Sequence, residues 1–70
     1  MVNFMQDVQP KLKELRIKLG LSQYEIADAL GIKQPAWARY ESGRSGMTLP
    51  MLVHICKTFD VDANWLLGIK

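Results

Sequence analysis

The segment LSQYEIADALGIKQPAWARYESG, which starts at Leu21, constrains the fold more than any other part of the chain. Ser22, followed three residues later by Glu25, forms the capping-box pattern that begins a helix. Gly31 ends that helix. Pro35 is tolerated only in a first helical turn, so a second helix must begin almost at once. A connection this short favours a sharp crossing of the two helices over an antiparallel pair.

The rest of the chain also shows apolar residues at helical spacing, and no segment reads as a strand. We expect Asp7 to cap the first helix, with Pro10 in its first turn, and Leu19 to lie on its buried side. Thr48 and Asp62 are expected to cap the fourth and fifth helices. The sequence therefore predicts one compact all-α domain over residues 1–70, with five helices. These helices are predicted at about residues 7–19, 22–30, 34–42, 49–59 and 63–67.

Composition limits the functional classes. The chain has 70 residues, and its single cysteine, Cys56, excludes an internal disulfide, which is typical of a cytoplasmic protein. No apolar run approaches the roughly 18 residues of a membrane span, and no signal-peptide pattern is present. The formal net charge of +2 permits a nucleic-acid partner without requiring one.

Catalytic and ligand-binding chemistry is not indicated. His54 has no cysteine, histidine or acidic residue at metal-ligand spacing. The sequence offers no convergent nucleophile, base and orienting group, so an enzyme is disfavoured. We expect no metal, cofactor or small-molecule ligand.

The third predicted helix has two different faces. At about 100° per residue, Trp37, Tyr40 and Glu41 fall on one side. The opposite side is small, polar and basic, with Pro35, Ala38, Arg39 and Ser42 across it and Gln34 on its flank. Core packing is the favoured interpretation of the two aromatic residues. Stacking on nucleic-acid bases is the alternative, but it would leave this helix without a buried stripe.

Glu41 lies on the apolar side of the third helix, and Arg16 lies on the apolar side of the first. An unpaired carboxylate there would be costly, so the two residues suggest a partly buried ion pair. The alternative is that both side chains extend to solvent.

Several short motifs, in order and at matching spacings, resemble the Cro/C1-type (XRE-like) helix-turn-helix family. They are LR at 15–16, GLSQ at 20–23, EIA at 25–27, GI at 31–32, ExG at 41–43 and VDANWLL at 61–67. The resemblance extends over about residues 9–68. It implies a five-helix, lambda-repressor-like domain that binds double-stranded DNA, with the third helix in the major groove.

The resemblance also implies roles for individual residues. The positions expected to face base edges are Gln34, Pro35, Ala38 and Arg39. Arg39 has the fork that matches guanine, and Gln34 can pair with adenine. Gln23 matches a glutamine that contacts phosphate in the family, and Ser22, Lys33 and Arg44 are expected to lie near phosphates. Tyr24 points away from the predicted core, so its hydroxyl either touches the DNA backbone or is merely exposed.

Three positions depart from the family pattern. Lys33 stands where serine or threonine often caps the third helix. Pro35 offers a base edge only shape or contact with a thymine methyl group. Trp37 replaces an aliphatic residue, so the local packing is expected to differ from that of relatives.

The function predicted from these observations is a DNA-binding transcriptional regulator, a repressor of phage or mobile-element type that binds a two-fold operator as a homodimer. Trp65, Leu66, Leu67 and Ile69 are more apolar than a short terminal helix needs, so they are the predicted dimer surface. The alternative is that Trp65 and one leucine close the core. A second functional hypothesis is an antitoxin that binds a toxin protein.

Overall fold

The computed structural model describes the backbone of residues 5–69 and the side chains of residues 8–69. Within that range the chain forms five α-helices and no strand. The helices are α1 (Met5–Lys18), α2 (Gln23–Leu30), α3 (Gln34–Ser42), α4 (Leu49–Phe59) and α5 (Ala63–Leu67). The predicted all-α architecture is confirmed.

Helix boundaries follow the predicted capping residues from α2 onward. The Ser22 hydroxyl accepts from the backbone N–H of Glu25, and the Glu25 carboxylate accepts from the backbone N–H of Ser22. Gly31, with φ of 74°, ends α2 in a left-handed conformation. Thr48 and Asp62 each accept a backbone hydrogen bond at the starts of α4 and α5. These caps fix where α2, α4 and α5 begin.

The first helix departs from the prediction. α1 begins at Met5, so the backbone of Asp7 is inside the helix instead of at its cap; the Asp7 side chain lies outside the described side chains. Pro10 is consequently in the second turn, where its missing N–H removes a helical hydrogen bond. Leu19 was predicted on the buried side, but it is 39% exposed. It lies beyond the end of α1, where the chain turns at Gly20 with φ of 70°.

The core lies where the five helices meet, and each helix contributes at least one buried side chain. α1 packs against α3 and α5, α2 packs against α3 and α4, and α4 packs against α5. The buried apolar side chains are Val8, Leu12, Leu15, Ile26, Ala27, Leu30, Trp37, Met47, Leu52, Ile55 and Leu66. Trp37 is completely enclosed, and Tyr40 packs half-buried against this core. Trp37 therefore packs in the core and does not present its ring for base stacking.

One ion pair joins α1 to α3. Arg16 donates to both carboxylate oxygens of Glu41, through Nε and Nη2, at 3.0 Å each. The third nitrogen, Nη1, donates to the carbonyl oxygen of Leu21 at 3.1 Å. The side chains of Arg16 and Glu41 are only 17% and 7% exposed. The pair thus ties α1 and the turn before α2 to the far end of α3.

The surroundings of Glu41 favour its charged form. Burial opposes ionisation, but hydrogen bonds from Arg16 and Trp37, the Arg16 charge and a weaker contribution from Gln23 together lower the pKa of Glu41 below its ordinary value. The hydrogen bond to Glu41, opposed by burial, raises the pKa of Arg16. Both residues are therefore charged at neutral pH.

We expect Arg16→Ala and Glu41→Ala each to lower the free energy of unfolding by about 2–4 kcal/mol, because each leaves a partly buried charge without its partner. The double variant Arg16→Met with Glu41→Leu should cost clearly less than the sum of the single changes. Urea unfolding of the two alanine variants and their double variant gives the coupling energy. Additive effects would show that the pair does not stabilise the fold.

The same carboxylate should make stability depend on pH. Because the folded pKa of Glu41 is lowered, its contribution is complete above the ordinary value of 4.5 and is lost as the pH falls through the folded value. The difference in stability between the wild type and Glu41→Gln should therefore shrink below about pH 4. Glu14→Gln is the matched control, since Glu14 makes an exposed pair 3.6 Å from Lys18 and should change stability by less than about 1 kcal/mol.

Candidate nucleic-acid interface

The turn between α2 and α3 fixes how the third helix is presented. Gly31 takes the left-handed conformation, and the backbone N–H of Ile32 donates to the carbonyl oxygen of Ala27 at 3.0 Å. Ile32 then packs, half-buried, against the core. α3 follows after one further residue, Lys33. With Trp37 buried beneath it, α3 is held against the domain by its inner face, which leaves its outer face free.

The outer face of α3 borders an open concave surface of about 410 Å³. Its lining residues are Pro35, Ala38, Arg39, Ser42 and Arg44. The structure thus brings together three of the four predicted base-facing residues, with Arg44 beside them. Small side chains at Pro35 and Ala38 let a ligand approach the helix backbone closely. The exposed Arg39 supplies a planar set of donors at the same surface.

The fourth predicted base-facing residue, Gln34, is hydrogen-bonded to Gln23. The Gln34 Nε2 atom donates to Gln23 Oε1 at 2.9 Å, and both residues are half-buried. The prediction gave these residues separate roles, one for bases and one for phosphate. It did not anticipate their contact, because eleven positions and the turn at Gly31 separate them in sequence.

Two of the predicted phosphate-facing residues flank α3, and the others lie at the start of α2. Lys33 and Arg44 are both exposed, before and after the helix. Lys33 makes no side-chain cap, as the departure from serine or threonine suggested, so its ammonium group is not committed to α3. Ser22 is exposed but accepts a bond from Glu25, and Tyr24 is 72% exposed.

Glu25 places a negative charge beside these groups. Hydrogen bonds from Ser22, the backbone N–H first, lower the pKa of the Glu25 carboxyl group. This carboxylate is used to begin α2. A bound anion near Ser22 would have to lie away from it.

His54 has a structural contact across the domain. Its Nε2 atom lies 2.9 Å from the carbonyl oxygen of Leu30, and its Nδ1 atom lies 3.3 Å from the Thr58 hydroxyl. A carbonyl oxygen only accepts, so Nε2 carries the proton and Nδ1 can accept from Thr58. His54 therefore links the end of α2 to α4.

The predicted dimer residues differ in their surroundings. Leu66 is completely buried, so its assignment to a partner surface was wrong: α5 packs this side chain into the core. Trp65 is half-buried, with the ammonium groups of Lys11 and Lys18 at 4.7 and 4.9 Å from its ring. Ile69 is 69% exposed. Of the four predicted residues, Ile69 is therefore exposed, Trp65 and Leu67 are half-buried, and Leu66 is buried.

A different apolar surface was missed. Leu49 and Val53, one turn apart on α4, are 69% and 43% exposed. They border a groove of about 290 Å³ between α4 and α5, which we call the α4–α5 groove. Its remaining lining residues are Leu52, Cys56, Lys57, Ala63, Leu66 and Leu67. Burial, and secondarily the charge of Asp62, raises the pKa of the Cys56 thiol, which stays neutral. The signal in the sequence was the number of apolar residues on α4, which exceeds one buried stripe.

Among residues 5–69, no helix has the length and apolar character needed to cross a bilayer.

Three curated proteins of Bacillus subtilis (strain 168) are similar to this chain. HTH-type transcriptional regulator AnsR is 40% identical over 58 residues, which cover 83% of this chain and 50% of that protein. The uncharacterized HTH-type transcriptional regulator YgzD is 34% identical over 59 residues, covering 80% and 89% of the two chains. The SPbeta prophage-derived uncharacterized HTH-type transcriptional regulator YonR is 33% identical over 57 residues, covering 81% and 53%.

The chain spans about half the length of AnsR and YonR, and smaller shares of two further relatives, 48% and 16%. No solved structure matches it. A family model described as a helix-turn-helix domain matches residues 10–68, which include the turn at Gly31 and both helices that flank it. The chain therefore belongs to the helix-turn-helix domain family.

Proposed function

We propose that this chain is a sequence-specific, double-stranded DNA-binding regulator of transcription of the Cro/C1 type, acting as a repressor. The outer face of α3 is the observation that carries this proposal. It is exposed, small and basic, while the inner face of the same helix is anchored by Trp37 and Glu41. A rigid helix with such a face suits the major groove. The relatives named HTH-type transcriptional regulators support the same function.

Base edges would be read from two neighbouring parts of α3. Arg39 would donate to the O6 and N7 atoms of guanine. Gln34 would pair with adenine, using its amide oxygen and the N–H that is not donated to Gln23. Pro35 and Ala38, which have no polar side-chain atoms, would contact a thymine methyl group. The part of the operator contacted by one chain, the half-site, is therefore expected to contain guanine, adenine and thymine.

Phosphates would be held by the residues around the helix-turn-helix. Lys33 and Arg44 would contact the backbone on the two sides of α3, since both are exposed and basic. Ser22 and Tyr24 would contribute hydroxyl groups from the start of α2. Gln23 would contact phosphate through its amide N–H groups while it holds Gln34. These contacts set the orientation of the helix without selecting a sequence.

We expect Arg39→Ala to weaken binding to the preferred site by about 1–3 kcal/mol and to relax the choice at one base pair. Gln23→Ala should weaken binding to all sequences and, because Gln34 loses its partner, also relax the adenine position. Lys33→Ala should weaken binding to all DNA sequences by the same factor. Selection from a random duplex library, followed by titration of each variant, measures both effects.

Lys13→Ala is the matched control for charge, because Lys13 is an exposed basic residue on α1, outside the α3 surface. It should leave the base preference unchanged. An Arg39→Ala protein with the wild-type base preference would contradict the assignment of α3 to the groove.

We further propose that the protein binds a two-fold operator as a homodimer. One recognition helix contacts only a few base pairs, which is too little to select a site among the many competing sequences of a genome. A protein two-fold axis matched to the operator doubles the number of base pairs read. Leu49, Val53 and Ile69 are exposed apolar side chains, and Leu49 and Val53 border the groove between α4 and α5.

This surface favours a weak dimer in free solution. A few exposed apolar side chains bury far less than the roughly 800 Å² per partner of a standard stable interface. Two copies held on adjacent half-sites need much less contact energy, because DNA already brings them together. Binding of a toxin protein in the same groove is the alternative that follows from the antitoxin hypothesis.

We expect two chains on each palindromic site, with half-sites about 34–36 Å apart. Leu49→Glu should reduce cooperative binding to the full site and leave binding to a single half-site unchanged. Ile17→Glu is the control, since Ile17 is 60% exposed on α1. Sedimentation with and without operator measures the stoichiometry. One chain on a full palindrome at saturating protein would rule out the dimer.

A further inference from the structure

The indole of Trp37 donates a short hydrogen bond to the carboxylate that anchors α3. Its Nε1 atom lies 2.6 Å from Glu41 Oε2, and the same oxygen accepts from Arg16 Nε at 3.0 Å. Trp37 is completely buried, and the Glu41 side chain is only 7% exposed. Hydrogen bonds to a charged acceptor are shorter and stronger than neutral ones, particularly where water is excluded. Trp37 is thus a polar partner of this site as well as a core residue.

The two donors restrain Glu41 in different ways. Arg16 is on α1, so its bonds join the carboxylate to a neighbouring helix. Trp37 is on α3 itself, one turn before Glu41, so its bond fixes the carboxylate relative to its own helix. A glutamate side chain has several rotatable bonds, and with Arg16 alone those bonds would let α3 turn about its axis. The enclosed, planar indole removes that freedom.

Rotation of α3 matters because its reading atoms lie on the far side. With side chains, a helix has a radius of about 5–6 Å, so a turn of roughly 20° would move the outer atoms by about 2 Å. Hydrogen bonds to base edges tolerate a displacement of donor or acceptor of only about a few tenths of an ångström. Gln34 and Arg39 would then lose their alignment, while flexible contacts to phosphate would adapt.

We propose that Trp37 is a positioning residue for DNA recognition: its N–H bond to Glu41 fixes the rotation of α3 about its axis, and hence the alignment of Gln34 and Arg39 with base edges. This inference rests on the proposed function. It assigns to Trp37 an effect on sequence preference that a purely apolar core residue of the same shape would not have.

The test removes the N–H without changing the ring shape. A chain of 70 residues is accessible to chemical synthesis, so Trp37→β-(3-benzothienyl)alanine can be made, in which sulfur replaces the indole N–H. Trp37→Phe is the genetically encoded companion. The matched control is Tyr40→Phe, which removes the hydroxyl group of a half-buried aromatic side chain on the same helix.

The measured quantity is the ratio of two affinities, one for the selected operator and one for a scrambled duplex of equal length. Both are measured at the same salt concentration. A loss of folded protein lowers both affinities equally, so this ratio reports alignment instead of stability. We expect the sulfur analogue at position 37 to lower the ratio by at least about fivefold, the smallest effect of one bidentate base contact. Tyr40→Phe should change it by less than about twofold.

Each outcome decides the matter. A folded position-37 analogue with the wild-type ratio overturns the inference, and so does an analogue that fails to fold, because Trp37 would then act on stability alone. If Trp37→Phe does not fold, the isosteric analogue alone gives the answer. A wild-type chain with no sequence preference would instead overturn the proposed function, and it is recognised before any variant is compared.

Discussion

The hydrogen bonds and ion pair of the partly buried Glu41 carboxylate are the interactions on which the rest of the structure depends. The carboxylate accepts two bonds from Arg16 and one from Trp37, while the remaining Arg16 donor holds the carbonyl oxygen of Leu21. The ion pair therefore connects α1, the turn before α2 and α3. A domain of this size has a small apolar core, and apolar contacts are not directional. Charged hydrogen bonds with defined geometry supply the orientation that packing alone would leave loose.

The two faces of α3 divide the work between stability and recognition. Trp37 and Glu41 hold the inner face of α3 against the rest of the domain, so the fold does not require packing contacts from the outer face. That face can consequently carry exposed Arg39 and small neighbours, which contribute little to folding. The hydrogen bond from Gln34 to Gln23 likewise holds the side chain of Gln34 at the first turn of α3. A base-facing side chain that is already held loses less entropy on binding.

Part of the exposed apolar surface lies outside the C-terminal segment that the sequence suggested. α5 uses Leu66 to close the core, and Trp65 is covered partly by two lysine side chains of α1. Exposed apolar residues outside the C-terminal segment include Leu49 and Val53 on α4, beside the groove that α5 forms with it. A helix in a five-helix domain buries one stripe, so apolar residues outside that stripe remain at the surface.

The sequence by itself determined the helices and their ends from α2 onward, because caps such as Ser22 with Glu25 act through local backbone hydrogen bonds. It also indicated that Arg16 and Glu41 belong together, since each interrupts an apolar face. Only the tertiary structure decided which donors surround Glu41, that Gln34 meets Gln23, and that Leu66 is core. Those contacts join residues distant in sequence, and their geometry follows from how the helices cross, which helical periodicity does not encode.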